Sequence, residues 1–446
     1  MTNPNPDKNA GLPRDLGSGL TLRWATSADT EEIAEHNVRH LSDDPAQPEE
    51  WLRGWTRDLM RGDHPTTNAG DFTVVVDEHD RGKIVSSLCL ISQTWAYEEI
   101  PFKVGQPEAV STDPTYRRRG LVRAQFAAIH DRSAARGELL QAITGIPWYY
   151  RQYGYEMTLA HGGSQRWLPF RIPPRKPDQA DAYRLRAATT DDIPVLARLY
   201  AIHCSNGMVV RLRDASEWRY ELIHKKFWIV EDIGGAAVGY AEAKVNEDNP
   251  DPTTQVFSVN ELAALPGHSL RAVAEFLGQE FKAQIDELNK TREQPLTGLV
   301  LSLGPSHAAY TALGELLEGY RPAYAWYIRV PDLAALVQQI APVLERRLAG
   351  SVMAGHSGTL RLNFYREHMT LVFSDGKLIE VSTYTPKRME DGDARFPNLT
   401  FIHLLLGHRT LAELNYIYAD CYASPAAAVL LDVLFPQRPS NPIMLV

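Results

Sequence analysis

Val110-Ser111-Thr112-Asp113-Pro114-Thr115-Tyr116-Arg117-Arg118-Arg119-Gly120-Leu121-Val122-Arg123-Ala124 is the stretch that decides the fold. It reads as the end of a strand, a short loop and the start of a helix. The segment from Leu121 to about Arg136 predicts a helix, and Gly137 stops it. The first turn of a helix leaves backbone N–H groups without partners. Those donors and the positive end of the helix dipole suit a pyrophosphate. Gly120 lets the backbone approach the phosphates closely. The arginines add charge-assisted bonds to phosphate oxygens.

Working outward, the flanking segments alternate between strand and helix patterns. Residues 72–76 and 84–91, joined by the turn Asp80-Arg81-Gly82-Lys83, read as a hairpin. Residues 108–112 form the strand before the loop, and 139–144 a buried strand after the helix. Upstream, Leu22-Arg23-Trp24-Ala25-Thr26-Ser27-Ala28-Asp29 recurs as Leu185-Arg186-Ala187-Ala188-Thr189-Thr190-Asp191-Asp192. The second occurrence is followed by the same order of elements: strands over 227–231, 236–245 and 256–262, a helix from Leu270 and a strand over 299–303. Two copies of one α/β fold explain this best. The second copy lacks the arginine run, because Leu265-Pro266-Gly267-His268-Ser269-Leu270-Arg271 stands in its place. It therefore reads as a degenerate, non-catalytic copy whose Gly267 serves a turn.

The last segment has another pattern. Residues 332–348 read as one amphipathic helix, 360–364, 369–373 and 378–382 as a meander, and 401–406 and 425–435 as apolar helices. The expected organisation is a disordered N-terminal tail over 1–19, a loop-bearing domain over 20–170, and a Pro-rich linker over 171–182. A degenerate copy over 183–330 and an α+β domain over 331–446 complete the chain. The fold class is α/β (α+β).

Composition narrows the function. The 446 residues allow two to four domains. A net charge of -9 argues against nucleic acid, which needs a basic footprint, and permits a cationic substrate. Asp43, Asp44, Glu98 and Glu99 are candidate cation-attracting residues. The three cysteines are far apart and in no metal-ligand spacing, which points to a reducing, cytoplasmic compartment. No signal peptide and no membrane span is expected, because no apolar run approaches ~20 residues. His130, His403 and His408 read as structural or surface residues rather than metal ligands.

The quoted loop resembles that of the GNAT acetyltransferases, Gln/Arg-x-x-Gly-x-Gly/Ala. Arg117-x-x-Gly120-x-Val122 matches the first two anchors and departs at the third. Val122 removes no N–H donor but crowds the phosphate side. Tyr150-Arg151-Gln152-Tyr153-Gly154-Tyr155 is similar to a second motif of these enzymes, Tyr-x-x-x-Gly-Phe/Tyr. The resemblance makes Tyr150 the general acid toward the coenzyme A thiolate, whose departure is helped by a proton from a phenol. Tyr149, Tyr153 and Tyr155 read as aromatic packing.

A catalytic GNAT domain, a degenerate one and a C-terminal sterol-carrier-protein-like domain together resemble the Eis (enhanced intracellular survival) family of bacterial acetyltransferases. The resemblance implies an acetyl-coenzyme A donor, no metal, and a small-molecule amine acceptor such as an aminoglycoside or another polyamine. It also implies a homohexamer. It places coenzyme contacts at Val110, Ser111, Thr112, Arg118, Arg119, Gly120, Leu121, Val122 and Arg123, and at Gly145 and Ile146 by position alone. It makes the C-terminal carboxylate, here Val446, the base that accepts the amine proton. The tail 436–446 has no charged side chain except Arg438, and burial would raise the basicity of that carboxylate. The alternative reading is a non-catalytic binding or scaffold protein with an apolar-ligand-binding C-terminal domain.

Overall fold

Phe72, Val74 and Val76 point to one face of their strand and Thr73 and Val75 to the other, and all five are buried. A strand covered on both faces belongs inside a layered α/β domain. The computed structural model describes residues 11–44, 46–175, 182–245 and 255–445. Its first sheet takes β1 (Arg14–Gly17), β2 (Leu20–Trp24), β3 (Phe72–Asp77), β4 (Lys83–Tyr97), β5 (Ile100–Thr112), β6 (Leu140–Ile143) and β7 (Glu156–His161). Helices α1 (Thr30–Leu41) and α2 (Trp51–Met60) pack Ile33, Leu59 and Met60 on one face, against Phe72, Val74 and Ile91. On the other face α3 (Leu121–Ala135) packs Phe126 and Ile129 against Leu88 and Leu90.

The second sheet takes β8 (Ser164–Trp167), β9 (Tyr183–Ala187), β11 (Phe227–Asp232), β12 (Ala237–Val245), β13 (Phe257–Ala264), β14 (Leu299–Leu301) and β15 (Glu318–Arg321). The helices of this unit are α4 (Ile193–His203), α5 (Ala215–His224), α6 (Leu270–Leu288) and α7 (Ala308–Leu313). Two further strands from this region, β10 (Val209–Arg211) and β16 (Tyr324–Arg329), join the first sheet instead. β16 inserts between β6 and β7, and β8 inserts between β14 and β15. The two α/β units thus exchange strands. A cut at residue 170 would not separate two independent sheets.

The remaining chain forms a third sheet, in the order β19 (Lys377–Ser382), β18 (His368–Ser374), β17 (Gly358–Asn363), β20 (Ala394–Arg395), β21 (Tyr422–Ala423). The expected helix over 332–348 is two helices, α8 (Leu333–Gln339) and α9 (Ala341–Ala349). Pro342 explains the break, since it has no N–H to donate and fits the first turn of a new helix. The core of this unit is continuous with Trp95, Val104, Leu140 and Trp326 of the first sheet. Residues 11–19, expected to be disordered, are ordered. Ser18 and Gly19, with φ of 55° and 74°, turn β1 back onto β2, and Leu12 and Leu16 pack against Leu20 and Leu22.

The end of the chain crosses all three units. Arg438 donates to Glu98 at 2.8 Å, the Met208 amide donates to the Pro439 carbonyl at 2.8 Å, and the Gly162 amide donates to Asn441 Oδ1 at 3.0 Å. Trp326 Nε1 donates to the Pro442 carbonyl at 3.0 Å, and Arg211 donates to the Met444 carbonyl at 3.2 Å. Leu445 is fully buried among Phe72, Cys89 and Ala109 of the first unit.

Arg211 is itself fully buried and bonds Glu221 at 2.7 Å and Glu217 at 3.1 Å. Breaking a buried ion pair from one side leaves an uncompensated charge and costs about 3–5 kcal/mol. Arg211→Ala is therefore expected to melt early, with protease cleavage appearing first in the 436–446 tail. A melting curve matching the parent's would show that the tail is held without this arginine.

Candidate active site

The site begins where two parallel strands part. β5 and β6 pair only at Val104–Leu140 and Gly105–Gln141, and beyond Gly105 the strand β5 runs on without that partner. At the fork a Cβ on Gly105 would press on the side-chain ends of Glu138 and, at 2.9 Å, Ser133, which would have to shift. Downstream, Ala109 adopts φ 51° and forms a bulge against β4. Such bulges re-aim side chains at active sites.

The far end of β5 is fixed by buried polar contacts. Ser111 Oγ donates to Asn37 Oδ1 at 3.0 Å, and Asn37 Nδ2 donates to Thr56 Oγ1 at 3.1 Å, tying β5 to α1 and α2. Ser86 Oγ lies 2.8 Å from Thr112 Oγ1 and 2.7 Å from Gln125 Oε1, tying it to α3. Asp113 then ends the strand. Its carboxylate accepts from the Thr115 amide and hydroxyl at 2.9 and 2.7 Å and pairs with Lys83 at 3.2 Å. Burial alone would raise its carboxyl, but these donors hold it down at about 2.

Gly120 precedes α3 in the left-handed region, at φ 78°, and no side chain caps the helix. The amides of Leu121, Val122 and Arg123, which a helix cannot satisfy for itself, are thus left for a ligand. The second copy differs at this point. There Ser269 Oγ accepts from the Ala272 amide at 3.2 Å, so α6 carries its own cap. Its Arg271 is taken up by Glu275 and Glu315.

A cleft of about 900 Å³ opens over the α3 N-terminus. Val110, Ser111, Thr112, Arg118, Gly120, Leu121, Val122, Arg123 and Ile146 all line it. Gly145, at φ 116°, and Arg119 lie outside that lining. Arg119 stacks on the Tyr116 ring at 4.8 Å instead. The opposite wall is Tyr149, Gln152 and Tyr153, none of which the sequence motif marks as a contact. Arg123 reaches across to Gln152 at 3.3 Å and stacks on Tyr153 at 5.4 Å. The cleft also extends to His40, Leu41, Ser42 and Asp43 at the end of α1.

Tyr150 sits behind this wall, 3% exposed, among Phe126, Tyr149, Tyr155 and Tyr327. Its hydroxyl points at the end of β6, 3.8 Å from the position a Cβ on Gly145 would take. Burial, with the charge of Glu108 added, pushes this phenol well above its usual range, so it stays a proton carrier at any working pH. Tyr327 comes from the exchanged strand β16, and no local motif marks it. Tyr155 is buried and bonds His130 Nε2 at 2.9 Å, and burial lowers His130 to about 3. His403 and His408 face each other with Nδ1 atoms 3.0 Å apart. Among the described residues no group of three or more His, Cys, Asp or Glu could hold a metal ion.

One expectation is corrected. Glu98 and Glu99 do not face the cleft. Glu98 pairs with Arg347 and Arg438 at 2.6 and 2.8 Å, and both glutamates pair with Arg346, which docks the C-terminal unit onto the β4–β5 hairpin. Val446 lies outside the described residues, as do Pro45, residues 1–10 of the expected tail and residues 176–181 of the linker.

A strand fork, an uncapped helix start and a buried tyrosine lie in this part of the first unit. Residues 21–158 match the family model of the acetyltransferase (GNAT) domain, and the chain is accordingly a transferase. No curated protein matches the sequence significantly.

Solved structures share the fold over nearly the whole chain. One is a conserved protein of unknown function from Enterococcus faecalis V583, described as a probable N-acyltransferase. It has 13% identity and a TM-score of 0.71 over 95% of this chain and 99% of that one. A GCN5-related N-acetyltransferase from Kribbella flavida has 17% identity and a TM-score of 0.65, with the same coverage. Eis1 from Mycobacterium abscessus has 16% identity and a TM-score of 0.59 over 96% and 99%. At such identities the likeness is one of fold. Among the described residues no helix is long and apolar enough to cross a membrane.

Proposed function

We propose that the chain is an Eis-like amine N-acetyltransferase that takes its acetyl group from acetyl-coenzyme A. The observation that carries this reading is the cleft over the α3 N-terminus, with the uncapped α3 amides along it and Tyr150 buried behind its wall, its hydroxyl toward Gly145. In this reading the pyrophosphate lies on the amides of Gly120 to Arg123, and Arg118 and Arg123 neutralise it. Val110, Ser111 and Thr112 hold the pantetheine arm from one side and Gly145 and Ile146 from the other. The acceptor is a small amine, such as an aminoglycoside or another polyamine, that enters past Asp43. It attacks the thioester carbonyl directly, and Tyr150 gives a proton to the departing sulfur.

The C-terminal carboxylate of Val446 accepts the proton of the incoming ammonium. The path of the tail supports this, since Leu445 already lies in the core of the first unit beside Ala109. The C-terminal unit is a sterol-carrier-protein-like domain that positions the tail, and the assembly is a cytoplasmic homohexamer. Removing Leu445 and Val446 is expected to lower acetyl transfer at least about tenfold, while acetyl-coenzyme A still raises the melting temperature. The test is free-thiol release against a panel of amines. Full activity of the shortened chain would exclude the tail as base.

A further inference from the structure

The rim of the cleft carries an aromatic side chain that the fold holds out in water on a strained backbone. Trp148 is 63% exposed, and its φ is 65°. That conformation suits glycine and is an outlier for a bulky side chain. Strain of this kind persists only where the surroundings over-determine it, and it gathers at ligand sites. Tyr327 supplies the restraint. Its hydroxyl accepts from the Trp148 amide, and its ring packs on Tyr150 with centroids 5.5 Å apart. The contact that holds Trp148 in its strained form therefore also sets its place relative to Tyr150.

The indole ring is fixed as well. Arg151 lies over one face at 4.1 Å, an attractive contact for an electron-rich ring. Arg151 is in turn paired with the buried Glu156 at 2.7 Å. With one face covered and most of the side chain in water, the opposite face is open. Two apolar neighbours flank it. Ile146 is half exposed and lines the cleft, as does Tyr149, so Trp148 stands between two cleft residues in the chain. Tyr324 is also exposed, and its hydroxyl reaches the Gly145 carbonyl and Tyr327 Oη, each at 3.4 Å. Apolar groups gathered in water at the mouth of a cleft mark a ligand surface.

We propose that Trp148 is the platform on which the acceptor rests, and that this acceptor is a small amine carrying a flat aromatic ring. The inference rests on the acetyl-transfer reading above and narrows its acceptor class. The ring of the amine stacks on the open face of Trp148, with Ile146 and Tyr324 at its edges. Stacked aromatic pairs gain affinity beyond the area they bury. Arg151 already fills the ring's role as a partner for a cation, so the ammonium group is not held there. It points on into the cleft, which Asp43 also lines. No bond forms or breaks at Trp148. The residue selects the acceptor and holds it beside the strand end where Tyr150 points.

The test measures kcat/KM for 2-phenylethylamine and for propylamine at saturating acetyl-coenzyme A, by free-thiol release. The proteins are the full chain, Trp148→Gly and Trp148→Phe. The melting shift given by acetyl-coenzyme A and the elution volume in gel filtration are read in parallel. Glycine adopts φ 65° without strain, so Trp148→Gly should fold as the parent does. The expected result is a preference of about tenfold or more for 2-phenylethylamine in the parent. In Trp148→Gly the ratio falls to about one, and Trp148→Phe keeps most of it, because a ring is still present. The coenzyme shift and the elution volume stay as in the parent. A parent without the preference, or a Trp148→Gly variant that retains it, overturns the platform and leaves the acetyltransferase reading standing. A lost coenzyme shift in Trp148→Gly would put the ring against the coenzyme, and an altered elution volume would put it between copies of the chain; either overturns the inference. Absence of transfer by the parent to every amine overturns both readings.

Discussion

Gly120→Asp is expected to raise the dissociation constant for acetyl-coenzyme A by at least ~100-fold, about 2.7 kcal/mol. Two effects add. Gly120 holds φ 78°, a conformation that costs most side chains ~1–2 kcal/mol and Asp and Asn alike less. The space around it is open, since a Cβ at Gly120 would meet nothing within 4 Å. Steric exclusion inside the protein is therefore not the reason for glycine here. The larger effect is the carboxylate, which would sit at the positive end of α3 where the pyrophosphate must go. Gly120→Asn separates the two. Asparagine tolerates the left-handed region and has no charge, so it should lose about tenfold or less. Titration calorimetry on both variants measures the difference. Equal affinities for parent and Gly120→Asp would mean that the coenzyme does not use this helix.

Tyr150→Phe is expected to lower turnover ~10²-fold with coenzyme affinity unchanged. The substitution removes one hydroxyl and keeps the ring, so the packing against Phe126 and Tyr327 survives. The melting temperature should stay close to the parent's. The hydroxyl points at the strand end by Gly145, away from the arginines of the loop. Its loss should therefore leave phosphate binding intact and act on the departing sulfur. Single-turnover measurements of thiol release separate the two steps. A variant as fast as its parent would remove Tyr150 from the mechanism, and water would then be the proton source.

The features legible in the sequence were those built from neighbours in the chain. The strand–loop–helix of residues 110–136 carries its own reasons: Asp113-Pro114 to end the strand, Gly120 to turn, and Gly137 to stop the helix. The absence of the arginine run from the second occurrence was equally readable in one line, and Ser269, which caps α6 there, is its structural counterpart.

What stayed hidden depends on partners far apart in sequence. Ser164–Trp167 and Tyr324–Arg329 have ordinary strand patterns, and a pattern states a period, not a sheet. Their exchange between the two units puts Tyr327 against Tyr150, so the pocket around that phenol is built from both halves of the chain. Glu98 and Glu99 read as surface acids until the fold brings Arg346, Arg347 and Arg438 to them.

The most direct test of the account is a crystal structure of the full chain with acetyl-coenzyme A. Pyrophosphate oxygens are expected within hydrogen-bond distance of the Leu121, Val122 and Arg123 amides, and the thioester sulfur within reach of the Tyr150 hydroxyl. A coenzyme seated elsewhere, with the α3 N-terminus left to solvent, would contradict it.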